Sequence, residues 1–77
     1  MSDGLDYLAQ VVIVIREDVQ LLEVFNKILG ANLGNQRVPL LHRELEQIQA
    51  PEVVMKFIRL LSDERIASLV HTEINRA

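Results

Sequence analysis

From Leu5 the apolar positions advance in alternating steps of three and four, through Leu8, Val12, Ile15, Val19 and Leu22 to Leu29, and only Asn26 interrupts them. That spacing predicts one amphipathic helix running for nearly four heptads. Asp3 offers an N-cap, Asp6 falls in the first turn, and Gly30 stands where a left-handed glycine would end the helix. A neighbouring row, Val11, Val14, Leu21, Phe25 and Ile28, widens the apolar face.

The run Val11-Val12-Ile13-Val14-Ile15 is β-branched throughout, and such residues also suit strands. In the strand reading the charged Arg16-Glu17-Asp18 would open a shorter helix to Leu29. But a strand needs a neighbour, and only the stretch Arg37 to Leu41, interrupted by Pro39, offers one. Both readings stay open on the sequence, but the helical spacing passes through the run without a phase break and favours helix. Five successive apolar residues, turned 100° each, go right round a helix. A helix apolar on every side should be covered on every side, which three short helices from the same chain can hardly supply. This surplus is the main sequence argument for a second chain.

The turn formers of Gly30-Ala31-Asn32-Leu33-Gly34-Asn35-Gln36 predict a loop. A second helix is expected from about Pro39 to Gln49, with Leu41, Leu45 and Ile48 on its apolar side. Pro51 restarts the chain, and Glu52 to Leu61 reads as a third helix with Val53, Val54, Phe57, Ile58 and Leu61 inward. Ser62 is the expected cap of a fourth helix, with Asp63 and Glu64 at its positive end and Ile66, Leu69, Val70 and Ile74 as its stripe. Residues 75–77 are expected to fray. The predicted architecture is all-α: a single helical domain over residues 1–77, with one long N-terminal helix and three shorter ones.

Composition narrows the function. Size scaling leaves about 4,600 Å² of apolar surface to bury, which contributes about 115 kcal/mol. Ordering 77 residues costs about the same, so self-association is an expected source of extra stability. With no cysteine, neither disulfides nor thiolate metal sites are available. The longest aliphatic run is too short to span a bilayer, and acidic rather than basic residues precede it, so a cytoplasmic protein is expected. A net charge of -3 and a pI near 5.2 argue against nucleic acid as the default partner.

Candidate chemistry is sparse. His42 and Glu46 are one helical turn apart, but a zinc site takes three or four protein ligands. Ser68 and His71 are neighbours on one helix, without oxyanion donors or a cleft. Ile66-Ala67-Ser68-Leu69-Val70 resembles the opening of a helix-turn-helix unit, but no recognition helix follows. Neither enzyme activity nor a cofactor or metal is expected.

The sequence instead predicts a non-enzymatic protein-protein interaction module, a small adaptor, regulator or assembly subunit. It would act as a homodimer through Leu5, Leu8, Val12, Ile15, Val19, Leu22 and Asn26, and would also bind a protein partner. If the pair is parallel, Asn26 falls at an a position and would fix the register of that seam; the spacing leaves parallel and antiparallel both open. The alternative is a small nucleic-acid-binding regulator of transcriptional or phage type, working through Arg37, Arg43, Lys56, Arg59 and Arg65.

Overall fold

The computed structural model describes residues 3–77, with side chains from Asp6 onward. Its α-helices are α1 (Asp3–Arg16), α2 (Val19–Leu29), α3 (Arg37–Gln47), α4 (Glu52–Phe57) and α5 (Glu64–Ile74). Two 3-10 segments, Gly34–Gln36 and Ile58–Ser62, join them, and no strand occurs among the described residues. The β-branched run is therefore helical. The expected caps and contacts of Asp3 and Leu5 lie outside the described side chains.

The long N-terminal helix is not formed. It breaks after Arg16, and Asp18 leaves helical geometry at φ -124°, ψ 112°. The Asp18 carboxylate then accepts hydrogen bonds from the backbone N–H groups of Gln20 at 3.0 Å and Leu21 at 3.2 Å, capping α2. The broken end is also tied, since Glu17 N–H donates to Ile13 C=O and Asp18 N–H to Ile15 C=O. Breaking there lets α2 fold back beside α1. Leu21, Val24, Phe25 and Ile28 of α2 then join Val11, Val12 and Ile15 of α1 in one core. The heptad seam is sacrificed, and Val19 ends 73% exposed.

The remaining elements close around that core. α1 packs on α2, α4 and α5, α2 also contacts α3 and α5, and the 3-10 segment Ile58–Ser62 bridges α3, α4 and α5. Phe25 and Phe57 are fully buried, and Tyr7 meets Phe57 edge to face at 5.8 Å. The radius of gyration, 11.4 Å, is that of a chain collapsed on itself. Among the described residues no helix is long and apolar enough to cross a membrane.

Several boundaries shift for local reasons. α3 begins at Arg37, with Pro39 still inside the first turn, where a missing N–H costs nothing. It ends at Gln47 because Gln49 turns left-handed at φ 55°. Gln49 N–H then donates to Glu46 C=O and Ala50 N–H to Leu45 C=O, the bond pair of a Schellman ending. The expected third helix tightens into the 3-10 segment after Phe57, which moves the next cap from Ser62 to Asp63. Gly30 stays right-handed at φ -77°, and the left-handed glycine is Gly34 at φ 58°.

Candidate functional site

α1 cannot hide all of its apolar residues. Val11, Val12 and Ile15 are buried and Val14 is half-buried, but Ile13 is 53% exposed. α5 lies alongside α1 and carries its own uncovered side chain, Leu69. Between the two helices runs an open groove of about 430 Å³, lined by Leu8, Ala9, Val12, Ile13, Leu69, Arg16 and Glu73. Its walls are mainly aliphatic, and its charged residues stand at the C-terminal ends of both helices.

That end is held by a small polar network. Arg16 donates from Nη2 to the Arg76 carbonyl at 2.6 Å and from Nη1 to the Glu73 carbonyl at 3.4 Å. The Glu73 carbonyl also accepts from the Arg76 N–H at 3.3 Å, so Arg16 adds a second donor to the end of the helix. Arg76 in turn pairs with the Glu73 carboxylate at 2.7 Å. Close by in sequence, Asn75 and Asn26 exchange side-chain hydrogen bonds at 2.7 and 3.1 Å, and Asn75 also donates to the His71 carbonyl. Asn75 and Arg76, expected to fray, are thus tied to α2 and α1. At the other end of α5, Asp63 accepts from Arg65 N–H at 2.8 Å and lies 3.4 Å from the Arg65 guanidinium. The backbone bond first, and the guanidinium second, hold the Asp63 carboxyl below its ordinary pKa.

The expected interface residues scatter. Leu5 lies outside the described side chains, Leu8 and Val12 line the groove, and Ile15 is wholly buried. Val19 is exposed beyond the helix break, Leu22 is half-buried, and the Asn26 amide exchanges hydrogen bonds with that of Asn75. The break at Asp18 is the physical reason, because it rotates α2 out of the phase that α1 would have imposed. Ile13, Ala9, Leu69, Arg16 and Glu73 were not singled out as interface residues by the sequence. The available signal was the surplus of apolar residues at positions 11–15.

The other candidates stand apart from the groove. His42 Nδ1 lies 3.5 Å from Glu46 Oε1 on an exposed face of α3. His71 and Ser68 border a shallow, mostly polar hollow of about 260 Å³ with Glu64 and the start of the 30–36 loop. No hydrogen bond joins Ser68 to His71 among the described residues. Of the basic residues expected to converge, Arg37 is 4% exposed, with Nη1 donating to the Leu61 carbonyl at 2.7 Å and Nη2 pairing with Glu64 at 2.8 Å. Lys56 pairs with Glu52 and Arg65 with Asp63, while Arg43 and Arg59 are exposed. Burial of Arg37 takes it out of any phosphate-binding set.

Comparison of the chain with protein-family models, with curated proteins and with solved structures finds no match.

Proposed function

We propose that this chain is a non-enzymatic interaction module that assembles with protein, in the first place with a second copy of itself, through the outer face of α1. One observation supports this reading above the rest. Ile13 and Leu69, 53% and 42% exposed, flank the same aliphatic groove, with Val12 and Leu8 forming its lining. Large apolar side chains gathered round a groove gain free energy when a complementary surface covers them. Scattered singly they would mean little.

The proposed role keeps the first helix as the meeting point but changes the face it uses. Of the row expected to form a seam, Val12 and Ile15 are buried in the chain's own core, and α1 presents Ile13 beside Leu8 and the edge of Val12. The unit is therefore a folded protomer that pairs, rather than a helix that folds only on pairing. A standard interface covers about 800 Å² per partner. The chain exposes 5160 Å², so pairing needs about one sixth of that surface.

The direct test is molar mass by light scattering after size exclusion, at two widely spaced concentrations. The expected mass rises from 8.8 kDa toward twice that value as concentration increases. A mass of one protomer at both concentrations overturns the reading.

A further inference from the structure

Along the outer face of α1, Asp6, Ala9, Ile13 and Arg16 are all exposed and follow one another at steps of three, four and three. At about 100° per residue they fall within a stripe about 80° wide. The spacing reads the same in both directions, and its centre lies level with residue 11. Position by position, the contents are complementary about that centre: an acid balances a base, and a small side chain balances a large one.

We infer that two copies pair antiparallel through this stripe, about a twofold axis level with residue 11, with Asp6 against the partner's Arg16 and Ala9 against the partner's Ile13. The inference rests on the self-association proposed above and adds its symmetry and contacts. A twofold interface must be self-complementary, and this stripe is. The Ile13 side chain enters the space left by the partner's Ala9, and the same contact repeats across the axis. Leu69, on the other bank of the groove, widens the apolar centre.

Charge selects the orientation. The pairs Asp63–Arg65 and Glu73–Arg76, at the two ends of α5, neutralise each other within the protomer. Among the described residues Arg16 donates to the carbonyl oxygens of Glu73 and Arg76 and pairs with no carboxylate, which leaves its guanidinium to meet one from outside. Asp6 and Arg16 lie about 15 Å apart along the helix, at opposite ends of the stripe. A parallel pair would set Asp6 on Asp6 and Arg16 on Arg16, whereas the antiparallel pair makes two attractive contacts and opposes the helix dipoles.

The chain has no cysteine, so introduced thiols report pairing without background. Ala9→Cys and Ile13→Cys are made as separate variants and mixed under mild oxidation. The mixture is expected to form a covalent heterodimer, and each variant alone to cross-link poorly. Residue 9 is offset from the partner's residue 9 by about 6 Å along the axis. Added to the spacing between helices, that offset exceeds disulfide reach. Equal or better cross-linking of either variant alone overturns the antiparallel stripe.

Asp6→Arg is expected to weaken the dimer at least about tenfold, because it sets two like-charge contacts across the axis. Adding Arg16→Asp should restore association by exchanging the two signs. Because Arg16→Asp also removes the bonds to α5, the Asp6→Arg variant and the thiol mixture decide the question if the double variant folds poorly. A wild-type monomer at all concentrations removes both this inference and the self-association beneath it, leaving the groove to a different protein. A wild-type dimer indifferent to Asp6→Arg removes this inference alone.

Discussion

α1 and α2 are adjacent amphipathic helices cut from one continuous apolar pattern, yet the fold treats them differently. α2 buries Leu21, Val24, Phe25 and Ile28 against the rest of the chain and turns Gln20, Glu23 and Lys27 to solvent. Its only large exposed apolar residue, Val19, sits in the first turn. α1 buries Val11, Val12 and Ile15 but leaves Ile13 out in mid-helix, beside a groove. A helix with one apolar stripe can be finished by its own chain. A helix with apolar residues all round is left with a second surface.

Removing the core on the α2 side tests the difference between the two helices most severely. Phe25→Ala should cost about 3–5 kcal/mol in urea unfolding, the range for emptying a buried aromatic site. A loss below about 1 kcal/mol would mean that α2 is not finished as described. Asp18→Ala probes the boundary between the helices, and loss of the cap is expected to lower stability by about 1 kcal/mol. An unchanged or higher stability would show that the break is imposed by packing alone.

Ile13→Ser should act in the opposite sense to Phe25→Ala. At dilute concentration the unfolding free energy should stay within about 0.5 kcal/mol of wild type, as for other exposed positions. Association measured by sedimentation should weaken. A large stability loss in the dilute protein would make Ile13 a core residue after all.

The smallest expected effect concerns the cap at the start of α5. The Asp63 carboxyl is held below its ordinary value of 3.8, so its contribution is fully present above that pH. It is lost as pH falls through the lowered folded value. Asp63→Asn keeps a capping side chain without the charge. The stability gap between wild type and this variant should therefore be constant at neutral pH and shrink in acid. A gap that widened in acid would reverse the assigned shift.

Much of this was legible from local pattern. Of the expected stripes, Leu41 and Leu45, Val54, Phe57, Ile58 and Leu61, and Val70 and Ile74 face the core, whereas Val53 and Leu69 stay exposed. The break at Asp18 was harder to see because the three-four rhythm continues across it, while the gain that favours breaking comes from α2 folding back on α1. The choice of Asp63 over Ser62 as a cap was also hidden. Both residues can cap, and the decision belongs to a 3-10 turn that tightens just upstream. The groove lies between segments almost sixty residues apart, joined by the reach of Arg16 to Glu73 and Arg76. Periodicity within one helix carries no information about such a neighbour. What it did carry was the excess at Val11 to Ile15, and Ile13 is where that excess surfaced.

The burial of Arg37 has a consequence for how the chain tolerates change. Its guanidinium joins the start of α3 to the Leu61 carbonyl and to Glu64 at the start of α5. Removing the arginine strands a buried carbonyl, while removing Glu64 leaves an inward cation with only that carbonyl for company. Loss of Arg37 is not repaired by any change at residue 64, and Glu64 is itself largely exposed. Among descendants of this sequence, residue 37 should therefore change less readily than residue 64.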